Sequence, residues 1–197
     1  MRLAKLDTRA NGTLSERAKS AFNELLKRAL LSSLVPEGES AEVVPIGELP
    51  VKMKERRGVV LTISTYSFRA VIVILFRQDA DTRAHFERLN RVEPGTWSAQ
   101  AFQDGLAEAG NLCVGAMNRW LGEHYEHIGM STPNMVDREA LAYMDVLGKG
   151  YSRQFEVRGM AIPFFATMQV VAYENVDFSV SAESLADTAD SGELEMF

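Results

Sequence analysis

An α/β (α+β) fold of two layers, with long helices covering one face of a largely antiparallel sheet, follows from three features of this 197-residue sequence. Two segments carry apolar residues at helical spacing, short β-branched runs follow each of them, and the order of helix then strands occurs twice. The length suits one domain or a fused pair of half-domains, and 46% hydrophobic residues suffice for a real core.

Residues 14–35, LSERAKSAFNELLKRALLSSLV, place Leu14, Ala18, Phe22, Leu25, Leu26, Ala29 and Leu30 three and four apart. That spacing predicts a helix with one apolar face, stopped by the proline and glycine of PEGES. LPVKMKE, GVVLTIST and SFRAVIVILFR then read as strands, the last two forming a hairpin across TYS. The run AVIVILF at 70–76 is too uniformly apolar for an edge and predicts a central strand. DADTRAHFERLNRV predicts a short polar helix capped by Asp79 or Asp81. EPGTWS is a turn, and Ser98 caps a long helix that continues to about Tyr125. IGMSTPNMVDRE reads as a loop, and GYSRQFEVRGMAIPFFATMQVVAYENV as two strands broken near Gly159 to Pro163. From Ser179 the chain is acidic and poor in β-branched pairs, which predicts a mobile tail that can supply at most a short docking segment. The expected organisation is a single domain over 1–178, built from copies at about 14–92 and 97–178, followed by the tail 179–197.

The balance of 21 Lys+Arg against 27 Asp+Glu leaves a net charge of −6, so there is no electrostatic footprint for nucleic acid or an anionic membrane surface. A protein or a small molecule is the expected partner. Cys113 is the single cysteine and nothing at the N-terminus has a signal-peptide pattern, so the cytoplasm is the expected compartment. The most apolar run is far short of the roughly 20 residues that a membrane-spanning helix requires.

The long second helix contains DGLAEAGNLCVGAMNRWL. Asp104, Glu108 and Asn111 stand at i, i+4 and i+7, one above another on one side. Leu106, Leu112, Val114, Met117 and Leu121 read as the core-facing side. Gly105, Gly110 and Gly115 each weaken a helix interior by about 1 kcal/mol against alanine. Their lack of bulk permits close packing, or lets another molecule approach beside the polar row. A carboxylate and an amide held in register can orient a water molecule and engage an ammonium group, and neither is a strong nucleophile. The bland alternative is a solvated helix face.

The same string, with Leu121 and Pro133 downstream, resembles the signature of the CheC/CheX family of chemotaxis phosphatases. In that family an Asp or Ser, a Glu and an Asn lie on one helix, with glycine near the Asn and a proline some two dozen residues later. Here the pattern runs Asp104, Glu108, Asn111 and Gly115, with 21 residues between Asn111 and Pro133. The resemblance implies a two-layer CheC-like fold and hydrolysis of the aspartyl phosphate on a CheY-like response regulator. Asn111 would orient the attacking water, Glu108 would engage a lysine of the regulator, and Asp104, Gly110, Gly115 and Pro133 would support the site. The receiver domain would bring the magnesium ion, so no cofactor of the chain's own is expected.

Aligned on the second helix at an offset of 84, the first has Ser20 and Glu24 but Lys27 in place of the amide. Lysine cannot accept a hydrogen bond from water and can pair with Glu24. The resemblance is therefore to the CheX-like branch with one active site, and that branch implies a homodimer, with the first helix as scaffold or dimer surface. The competing expectation is a non-catalytic module of the same fold, akin to flagellar switch components, that binds a receiver or motor protein. His124 and His127 lack the further ligands of a metal site, and Cys113 lacks a neighbouring histidine, so both read as structural. KERRG, with Lys54, Arg56 and Arg57, reads as an exposed turn, and no phosphate loop or dinucleotide fingerprint is present.

Overall fold

The computed structural model describes residues 12–147 and 150–180. The elements run α1 (Glu16–Leu34), β1 (Glu42–Ile46), β2 (Arg57–Ser64), β3 (Phe68–Phe76), α2 (Ala80–Leu89), α3 (Ala99–Gly122), β4 (Gly129–Met130) and β5 (Asn134–Asp137). A 3₁₀ segment (Arg138–Leu147), β6 (Tyr151–Arg158) and β7 (Phe164–Ala172) follow. Seven strands form one sheet in the order β1-β6-β7-β3-β2-β4, with β5 beside β4 on the outer edge of β2, and every pairing is antiparallel.

That order is a palindrome. Exchanging β1 for the β4 and β5 pair, β2 for β6 and β3 for β7 reverses it, as a twofold axis between β3 and β7 requires. The helices obey the same relation at the offset of 84. Buried Ala18, Phe22, Leu25, Leu26, Ala29 and Leu30 of α1 correspond to buried Phe102, Leu106, Ala109, Gly110, Cys113 and Val114 of α3. The two helices pack on each other, α1 over β1 and β6 and α3 over β2 and β4.

The central strands are apolar on both faces because both faces are covered. Toward the helices, Phe22, Leu61, Phe68, Ile72, Phe155 and Met168 belong to the main core. On the opposite face Met53, Val73, Leu75 and Phe165 form a smaller cluster under the connection that follows β1 and under the 3₁₀ segment. LPVKMKE, expected as a strand, is this covering connection: Met53 is buried, and buried Glu55 accepts a hydrogen bond from Arg77. The strand lies earlier, at Glu42–Ile46, where Pro45 costs no ladder bond because β1 is the sheet edge. The segment expected as a loop around Pro133 contributes two short strands, recruited by the open edge of β2.

The helix ends follow ordinary capping chemistry. Ser15, Asp79 and Ser98 each accept the amide of the third residue onward, so Asp79 rather than Asp81 caps α2. The long helix stops at Gly122, one turn short of Tyr125. α2 closes one end of the sandwich, with Phe86 meeting the rings of Phe76, Phe102 and Phe164. Beside it, Nε2 of buried His85 lies 2.8 Å from the carbonyl oxygen of Leu34, joining α2 to the last turn of α1. The proposed tail falls, beyond Val180, outside the described residues.

Two outcomes are expected. A Cβ on Gly110 would lie 2.7 Å from Cγ1 of Val59 and 3.0 Å from Cδ1 of Leu61, while one on Gly115 meets nothing within 4 Å. In urea titrations Gly110→Ala should lower the midpoint, because a stiff β-branched neighbour must move, whereas Gly115→Ala should gain about 1 kcal/mol from helix propensity. Burial, the largest influence, holds the His85 pKa below its ordinary value; Arg88 also lowers it, and the Leu34 carbonyl and Glu39 oppose this. The unfolded chain therefore binds the proton more readily. Stability is complete above about pH 6.5 and falls as pH drops through that value toward the folded pKa. Melting curves from pH 7.5 to 5 should show this loss, and it should shrink in His85→Gln.

Candidate functional site

The site is built on α3, and the start of α3 is set by a carboxylate on the preceding helix. Buried Glu87 accepts the amides of Gly95 at 2.7 Å and Trp97 at 2.8 Å, and these bonds hold its carboxyl below the usual carboxylate range. The loop so organised lays the Trp97 ring against the helix, where a Cβ on Gly105 would come within 2.4 Å of it. Gly110 seats the middle of α3 on Val59 and Leu61 of β2. Gly105 and Gly110 are thus filled from inside the protein, whereas Gly115 opens outward.

Asp104 and Glu108 are exposed and Asn111 is half-buried, in one row along the outer side of α3. Asp104 accepts a hydrogen bond from Nε2 of Gln100 at 2.8 Å, one turn before it. Nδ2 of Asn111 stands 3.5 Å from Oε2 of Glu108, a long contact that leaves the amide oxygen directed elsewhere. The pair is open to an incoming molecule. Pro133 follows Ser131, whose amide donates to the carbonyl of Thr62, and precedes Asn134, which is paired with Val60. It therefore passes the sheet edge beside Leu61, the residue whose side chain lies against Gly110.

One residue departs from its expected place. Leu112, expected in the core, is 55% exposed next to Asn111. Spacing explains the miss: Leu112 is one position beyond the polar row, on the boundary between the faces, where periodicity does not decide orientation. Gln100 was also missed, and its signal was the same i, i+4 spacing to Asp104.

On α1 the corresponding row stays exposed at Ser20 and Glu24 but differs in its chemistry. Nζ of Lys27 binds Oε1 of Glu24 at 2.7 Å, as the sequence suggested, and Ser179 and Val180 line a shallow cavity together with Ser20 and Glu24. Cys113 is fully buried and burial pushes its thiol up to about 12, which leaves it packed and unreactive. His124 lies on the surface against Phe178, and the described residues hold no cluster of metal-ligating side chains. No helix among them is long and apolar enough to cross a membrane.

No family model and no curated protein sequence matches the chain. Solved structures do. A CheC-like superfamily protein from Shewanella sp. PV-4 superposes with a TM-score of 0.56 at 11% identity, covering 79% of this chain and 98% of that one. The chemotaxis protein CheX from Vibrio vulnificus gives 0.52 at 15% identity, with 76% and 96% covered. CheX from Borrelia burgdorferi, in a complex with CheY, BeF3 and magnesium, gives 0.54 at 13% identity, with 77% and 96% covered. The palindromic sheet, its paired helices and these superpositions together identify the fold of the chain as that of the CheC-like and CheX chemotaxis proteins.

Proposed function

We propose that the chain is a phosphatase acting on the aspartyl phosphate of a CheY-like response regulator. The observation that carries this reading is the accessible pair of Glu108 and Asn111, one turn apart on a helix held at both Gly105 and Gly110, with Gly115 open beside them. A carboxylate and an amide on a rigid support perform positioning chemistry. Glu108 would engage a lysine of the receiver, and Asn111 would enter the phosphorylation pocket and hold a water molecule in line with the phosphorus. The receiver would supply the phosphoryl group and the magnesium that offsets its charge, so the chain has only to orient the nucleophile. A structural neighbour that is a CheX–CheY complex supports this kind of encounter. A homodimer and a cytoplasmic setting belong to the same reading.

Leu112 adds an apolar contact beside the polar pair, and it suits a docking surface whether or not hydrolysis follows. A binding module without catalysis is therefore the second reading. Phosphate release from a panel of phosphorylated receiver domains with magnesium separates the two. The unmodified chain should accelerate release, and Asn111→Ala should cut the accelerated rate about 100-fold or more with the fold intact. Glu108→Ala should weaken engagement of the receiver as well as the rate. Binding without acceleration, unchanged in Asn111→Ala, would establish the docking module instead.

A further inference from the structure

Between α1 and α3 runs a groove of about 560 Å³, a size that suits a small molecule, with Leu31, Val35, Ala116 and Trp120 in its lining together with the cations Arg28 and Arg119. Glu37 and Glu39 also border it, but each is taken up in a salt bridge, Glu37 with Arg91 and Glu39 with Arg88. Among the described residues neither Arg28 nor Arg119 takes part in one. The groove is thus mainly apolar and cationic in net effect.

It is also polarised along its length. His85 ties α2 to Leu34 at the end of α1, and Phe86 of α2 meets Phe102 near the start of α3, so the two long helices run antiparallel. Ser33 of α1 lies within hydrogen-bond reach of the Cys113 thiol of α3, which fixes their register. Arg28 precedes Ser33 and Arg119 follows Cys113 by roughly 8 and 9 Å, displacements that point the same way in antiparallel helices. Both cations therefore stand at one end of the groove, and Trp120 with them. Val35 lies roughly 10 Å from Arg28 along α1, at the other end. There the last carbonyls of α1 make the field unfavourable to an anion, whereas Arg28 and Arg119 make it favourable.

We propose that the groove binds a soluble anionic amphiphile, an aliphatic chain with one anionic head of which a medium-chain carboxylate is the simplest, its head on Arg28 and Arg119 and its chain along Leu31, Ala116 and Val35. Two guanidinium forks match a carboxylate, and the aliphatic lining that leads away from them matches an unbranched tail. The net charge of −6 opposes an anionic membrane surface, so the source is the free monomer in solution. Ala116 is one helical turn beyond Leu112, so an occupied groove flanks the helix that carries Glu108 and Asn111. Binding there is independent of the phosphatase reading; an effect of the ligand on hydrolysis rests on that reading.

The test titrates the isotope-labelled full chain with monomeric decanoate. Amide signals of Leu31 and Ala116 and the indole signal of Trp120 should shift saturably. Decanol and decyltrimethylammonium, which have the chain without the anion, should bind more weakly by about tenfold or more, the worth of a charge-assisted hydrogen bond. The pair Arg28→Gln and Arg119→Gln should weaken decanoate to a similar degree and leave decanol unchanged, while signals of β3 and β7 report an unchanged fold. Absence of saturation with decanoate would overturn the proposal. So would decanol binding as tightly as decanoate with no effect of the arginine pair, because the groove would then be apolar without selecting an anion. A response confined to phosphatidylglycerol vesicles would assign the groove to a membrane instead, and groove shifts that follow protein concentration without any probe would assign it to a second copy. None of these readouts involves phosphate release, so the amphiphile site and the phosphatase reading fail separately.

Discussion

The seating of α3 on β2 is the constraint on which the rest of the structure depends. A helix normally lies 8–10 Å from its packing partner, held off by side chains of Leu or Ile size. At Gly110 that spacer is missing, and Val59 and Leu61 occupy the space a side chain would take. The backbone of α3 is therefore pressed to the sheet at the point where Asn111 follows. Upstream, Trp97 does the same service for Gly105, and Glu87 holds Trp97 in place through two backbone amides. A helix restrained at two depths can present a side chain with little play, which positioning chemistry requires.

The twofold relation between the halves makes this visible by contrast. Leu26 stands where α3 has Gly110, so α1 sits on its strands through an ordinary apolar side chain. Lys27 stands where α3 has Asn111 and is tied to Glu24. The chain after β7 then returns across α1, packing Phe178 on Phe22 and Tyr125, with Ser179 and Val180 lining a cavity shared with Ser20 and Glu24. The two copies thus differ in how their helices are seated and in the amide that only α3 keeps. The central pair β3 and β7 serves both, because two strands of this apolarity need cover on both faces, and the loop carrying Met53 provides it on the side the helices leave free.

Much of this was legible in the residues. The helical periods of α1 and α3, the cap at Ser98, the choice of Asp79 or Asp81 for α2, the hairpin across Thr65–Ser67 and the break at Gly159 are local chemistry, and local chemistry is written in adjacent positions. The candidate row was legible for the same reason, since i, i+4 and i+7 on a helix fix a shared side whatever the helix packs on. Strands β1, β4 and β5 were not. A five-residue segment with a proline, and runs of two and four residues in a polar loop, have no strand signal of their own and are ordered by an edge that is already there.

The sequence by itself determined the two amphipathic helices, the hairpins, the internal repetition and the line of Asp104, Glu108 and Asn111, because each depends on spacing along one chain. Only the tertiary structure decided which side of that line Leu112 faces, which glycines are filled by Trp97, Val59 and Leu61, and that Gly115 is left open. Those outcomes depend on what stands opposite in space. A missing side chain has the same symbol in the sequence whether a tryptophan, a strand or solvent occupies the vacancy.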